Sequence, residues 1–93
     1  MQLTILGKRW FLRFVRKIDS KRSRGEFQAP TEPKKEIRVL DRLKGEEKLE
    51  VLLHEMLHAA SWHIDEEFVR RFASDAARNL TKLGFKDGET NGG

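Results

Sequence analysis

The sequence predicts a small α+β domain: a three-stranded antiparallel or mixed sheet with two helices packed on one face. Three observations predict it. Apolar residues recur every second position over the first forty residues, as a half-buried strand requires. They recur at helical spacing from residue 46 to residue 83. A segment crowded with Pro, Gly, Ser and charges separates two of the strands. Ninety-three residues, with 38% hydrophobic and 37% charged, suit one small domain with a thin core.

Leu3 to Leu6 reads as a short strand, and Gly7-Lys8 as the turn after it. Arg9 to Ile18 reads as a longer strand. Trp10, Leu12 and Phe14 share one face, and Phe11, Arg13, Val15 and Lys17 the other. Residues 19–35, which hold Asp19, Ser20, Ser23, Gly25, Pro30 and Pro33, read as a loop. Glu36 to Leu40 is the third strand. Glu46 and Glu47 then mark a helix start, where the dipole favours acids. Leu49, Leu52, Leu53, Met56 and Ala60 form its stripe, and Ser61 to Ile64 a short connection. Asp65 is the expected N-cap of a second helix. Its stripe is Val69, Phe72, Ala73, Ala76, Leu80 and Leu83. Gly84 stands where a C′ glycine belongs, with Phe85 placed to fold back on the last turn. Residues 1–85 are read as one domain and 86–93 as a tail. The expected core is Leu3, Ile5, Trp10, Leu12, Phe14, Ile37 and Val39 on the sheet side. On the helix side it is Leu49, Leu52, Leu53, Met56, Val69, Phe72, Ala76 and Leu80.

With no cysteine, a disulfide framework, a thiol nucleophile and a Cys-built zinc finger are excluded. Any metal is held by His, Asp or Glu. No apolar run reaches the roughly 20 residues that span a bilayer, and the start has no signal-peptide order, so a cytosolic protein without a membrane segment is expected. Charge is uneven. Residues 1–45 carry 13 Lys+Arg against 5 Asp+Glu, and residues 46–93 carry 6 against 10. The basic stretch 8–24 is a candidate surface for an acidic partner or nucleic acid, although a solvated strand face and loop explain it as well.

The chemistry lies in His54-Glu55-Met56-Leu57-His58, an H-E-x-x-H pattern on the first helix. Spacing i, i+4 puts both imidazoles on one helix face, about a turn apart, where two nitrogens can take one zinc ion. Glu55 stands at the edge of that face, suited to a water rather than the metal. There a carboxylate serves as general base. A catalytic zinc needs a third protein ligand and an open fourth position. Glu66 borders the apolar stripe of the second helix and is favoured. Glu67 stands on the polar side with Arg71, Asp75 and Arg78 and remains a candidate, since either acid could simply answer the helix dipole. His63 is a further candidate, as a ligand, as a donor to the oxyanion or substrate, or as a plain loop residue. Asp75 could support a ligand histidine from behind or pair with Arg71 or Arg78 on the surface.

The segment HEMLHAASWHIDEEFVRRFASDAARNLTKLGF resembles the active-site half of the small zincin-like proteins of phages and bacteria. HEMLHA followed closely by Trp62 is also similar to the start of SprT-like metalloprotease domains. The resemblance covers roughly residues 36–85 and implies a minimal zincin-like fold and a cytoplasmic protein, in the host if phage-encoded. It implies zinc held by His54 and His58, with Glu55 as base. Gluzincin-type members take a glutamate of the next helix as third ligand, which falls on Glu66 or Glu67. SprT-like domains take a third histidine further downstream, and this chain has none after His63. It also has no tyrosine to steady an oxyanion.

The leading expectation is a zinc metallopeptidase acting on a peptide or protein substrate, with the Glu36–Leu40 strand as the edge that holds it. The competing expectations are a metal-stabilised binding module without catalysis, and a zincin-shaped hydrolase that tracks nucleic acid along its basic half. The oligomeric state stays open.

Overall fold

The computed structural model describes residues 1–18, 25–27, 35–61 and 63–85. The tail 86–93, Trp62 and most of the stretch read as a loop lie outside the described residues. The chain runs β1 (Gln2–Ile5), β2 (Lys8–Val15), β3 (Gly25–Phe27), β4 (Glu36–Leu40), α1 (Gly45–Ala60) and α2 (Glu66–Lys82). A mixed sheet with two helices is the α+β class expected. The sheet has the order β1-β2-β4-β3. β3 is an added edge strand of three residues inside the stretch read as loop. It is too short, and too close to Gly25, to carry a period-two signal.

β1 and β2 form an antiparallel hairpin in which Ile5 opposes Lys8. The two turn residues are therefore Leu6 and Gly7, one position earlier than expected. Both have positive φ, 49° and 76°, as a two-residue turn matched to strand twist demands. β2 ends at Val15 rather than Ile18 and pairs parallel with β4. β3 pairs antiparallel with the far side of β4. β4 is thus internal, with Ile37 and Val39 fully buried. The expectation that Glu36–Leu40 is the free edge is corrected: β3 ends the sheet on that side.

The alternation read from β2 holds at Trp10 and Leu12, which face α1 and are buried. Leu3 is partly buried against the same core. Phe14 departs from expectation. Its ring is 39% exposed, and the Lys48 ammonium sits 4.6 Å from its centroid, so a cation rather than an apolar neighbour covers it.

α1 packs on the sheet, and α2 packs on α1 rather than on any described strand. The buried face of α1 is Lys48, Val51, Glu55 and Ala59. The expected stripe residues Leu49, Leu52, Leu53 and Met56 are half-buried. Leu52, Met56 and Ala60 of that stripe pack against the core, and the buried face extends to the charged Lys48 and Glu55, which hydropathy does not mark. On α2 the buried residues are Val69, Ala73 and Ala77. Phe72, expected in the core, is 48% exposed and stacks on Phe68 with centroids 6.0 Å apart. Small residues at every fourth position let the helices approach closely, and this leaves the larger phenylalanines outside. Ala76 and Leu80 are half-buried.

The ends of α2 follow the sequence reading. The Phe68 N–H donates to Asp65 Oδ2 at 2.8 Å, an N-cap bond. At the other end the Gly84 N–H donates to Thr81 O and the Phe85 N–H to Leu80 O, both at 3.0 Å. With Gly84 at φ 96°, this is a Schellman cap.

β3 lies hard against α1. A Cβ added at Gly25 would stand 2.8 Å from Val51 Cγ1 and 2.9 Å from Glu55 Cγ. Gly25→Ala is therefore expected to destabilise by about 1–3 kcal/mol, the cost of overpacking. Val51→Ala introduced into that variant should cost less than Val51→Ala in the wild type, because it removes one of the two clashes. Urea denaturation of the four proteins of this cycle measures the difference. Equal costs would show that β3 moves aside freely.

Candidate metal centre

α1 ends at Ala60, where the Ser61 N–H still donates to Leu57 O at 3.0 Å. A short turn follows, and Asp65 starts α2. This tight connection reverses the chain, so the first turn of α2 comes back beside the last two turns of α1. His54 and His58 point out of α1 on the side that α2 covers, and Glu66 is the first residue of α2.

The three side chains meet. His58 Nε2 lies 2.6 Å from Glu66 Oε2. His54 Nε2 lies 3.0 Å from Glu66 Oε1. The imidazole centroids are 5.0 Å apart, tilted by 54°. One donor atom from each residue lies within 4.8 Å of the other two. In bonding to one carboxylate, both imidazoles present Nε2, and each Nε2 must carry a proton to do so. A divalent cation placed among the three groups replaces those protons. Zinc takes such donors at about 2.0–2.2 Å in a tetrahedron, which sets neighbouring donors roughly 3.3 Å apart. The observed spacings of 2.6 and 3.0 Å, each to a different oxygen of Glu66, are somewhat shorter than that value. The donor set, two neutral nitrogens and a carboxylate oxygen, suits zinc.

Burial grades across the cluster. The His58 and His54 side chains are 11% and 23% exposed, while Glu66 is 65% exposed. The histidines are walled in by packing and the carboxylate side opens to solvent. An ion held here would be reachable from the solvent side.

Glu55 follows His54 on α1 and is 8% exposed, beneath Gly25 of β3. The general-base candidate thus packs under the edge strand. Its contact with β3 was not legible in the sequence, which gave no sign of that strand.

Of the remaining candidates, Glu67 is turned away. Its carboxylate accepts from Arg70 at 2.6 and 2.7 Å and lies 3.2 Å from Arg71 Nε. The hydrogen bond and the charge of Glu67 hold the Arg70 guanidinium above its ordinary value. His63 sits exposed in the turn between the helices and is not among the clustered residues. Asp75 bonds to neither histidine among the described residues, and it forms no ion pair with Arg71 or Arg78. Both expectations for it are corrected. α2 carries it a further two turns from Glu66, where it lines an open groove of about 420 Å³ with Glu50, Arg70, Arg71 and Ser74. The groove begins one helical turn beyond the cluster, since Glu50 precedes His54 by four residues and Arg70 follows Glu66 by four.

No protein-family model matches the chain, and no curated protein or solved structure does. The site is therefore read from its own geometry.

Zinc added in excess is expected to stabilise the wild type, by about 2.7 kcal/mol at a hundredfold excess over Kd. His58→Ala and Glu66→Ala should lose this response, and Glu67→Ala should keep it. Thermal melts with and without zinc read the difference. A response that survives Glu66→Ala and fails in Glu67→Ala would reverse the ligand assignment.

Proposed function

We propose that the chain is a minimal zinc-dependent metallopeptidase. His54, His58 and Glu66 would hold the ion, and Glu55 would serve as general base. The observation that carries the reading is the cluster's asymmetry. Two histidines and one glutamate converge, and the glutamate side is open to solvent. Three protein ligands with an open direction is the pattern of a catalytic zinc, whereas structural zinc sites are closed by four.

Zinc bound there supplies Lewis acidity, polarising a scissile carbonyl and making water ionisable near neutral pH. The chain's own residues do the rest. Glu55 accepts the proton of the attacking water and returns it to the departing amine. Its burial under β3 limits the carboxylate's freedom. β3 ends the sheet, and an extended peptide laid beside it would bond to its backbone as an added strand. The groove along α1 and α2 gives polar side chains of both signs to a substrate leaving the cluster on that side.

Glu55→Gln keeps the shape and removes the base. Cleavage of a fluorogenic peptide library is expected to fall 10²–10⁴-fold with zinc content unchanged. Chelator should abolish the wild-type activity. Cleavage that resists chelation would contradict the proposal.

A second reading has its own support. The cluster ties the end of α1 to the start of α2, which is what a structural clasp does. In that case zinc raises stability, Glu55→Gln is silent in every assay, and the chain is a binding module.

A further inference from the structure

α1 covers one face of the sheet, and α2 packs on α1. On the other face, β2 presents Arg9, Phe11 and Arg13, all exposed, because Trp10 and Leu12 point into the core. Alternate residues of a strand stand about 6.7 Å apart, so a ring is flanked by a guanidinium on each side. β1 adds Gln2 opposite Phe11 and Thr4 opposite Arg9. β4 adds Arg38 beside Arg13. Phe11 stands beside Glu36 in register and still leaves 48% of its surface exposed at the middle of a sheet face.

Two of these arginines are held by an acid on the same face. Glu36 of β4 is buried, its side chain 4% exposed. It accepts from Arg38 Nε at 2.7 Å and lies 3.5 Å from Arg13 Nη1. One carboxylate thus faces two guanidiniums, while the Arg13 side chain stays 59% exposed. Among the described side chains of this face, three arginines stand against that single acid. Ordering in advance lowers the entropy that binding would otherwise cost.

The geometry points to single-stranded nucleic acid as the partner of this face. A base stacks on Phe11, and the phosphates on either side meet Arg9 and Arg13, with Arg38 alongside. Stacking on an exposed sheet aromatic between cations is how sheet surfaces hold single strands without base-specific contacts. An acidic protein would use the arginines and leave the ring without a role. The inference is independent of the proposed hydrolysis, since this face and the His54–His58–Glu66 cluster lie on opposite sides of the sheet.

The test is fluorescence anisotropy of a labelled twelve-nucleotide oligothymidine with the full chain, across 50 to 200 mM salt. Wild type is expected to bind, weakening steeply with salt. Phe11→Ser should weaken binding at least fivefold and leave the salt slope unchanged. Arg9→Gln should lower the slope by about 0.7, one single-strand phosphate contact. Both positions are exposed, so circular dichroism should show the fold intact. Three results would overturn the inference: no binding at 50 mM salt, binding indifferent to both substitutions, or a labelled oligoglutamate bound as tightly and as insensitive to Phe11→Ser.

Discussion

The contact on which the arrangement depends is Glu66 set between His54 and His58. Three groups that water would solvate well are drawn together across a helix–helix interface, two of them mostly buried. Each imidazole nitrogen needs a proton or a cation to face that carboxylate. A neutral imidazole that carries its proton on Nε2 meets that need, and a cation between the groups would meet it more strongly.

The rest of the fold serves to bring these groups together. Val69, Ala73 and Ala77 are fully buried against α1, and their small size sets the helices close enough for Glu66 to reach across. The Asp65 cap fixes where α2 begins, and with it the position of Glu66 one residue later. Below α1, Gly25 admits β3 to van der Waals contact with Val51 and Glu55. The H-E-x-x-H helix is thus gripped from both sides. Its histidines are turned to α2, and its glutamate is turned to the sheet edge.

Much of this was legible in the residues. The β4 boundaries, the Asp65 cap, the Gly84 cap and the H-E-x-x-H helix each carry a strong local signal, because a cap or a fixed spacing depends on few neighbours. The helix wheel favoured Glu66 and kept Glu67 as a candidate, and Glu66 is the one that meets the two histidines. What escaped the reading depends on distant packing. β3 has three residues and gains its shape from β4 and α1. The buried face of α1 includes Lys48 and Glu55, so hydropathy placed the apolar stripe a little way round the helix. Phe14 and Phe72 look like core by residue type, yet one is capped by an ammonium and the other is displaced by alanines. Asp75 had the right chemistry for a supporting role and lies too far along α2 to play it.

The central claim is that two imidazoles and the Glu66 carboxylate share one ion. Zinc X-ray absorption on the loaded chain tests it most directly, since the chain has no cysteine to confuse the shell. The account predicts a four-coordinate nitrogen and oxygen shell at about 2.0–2.1 Å with the outer scattering of two imidazoles, and a changed shell in Glu66→Ala. Scattering from one imidazole or none, or a spectrum that Glu66→Ala leaves untouched, would contradict it.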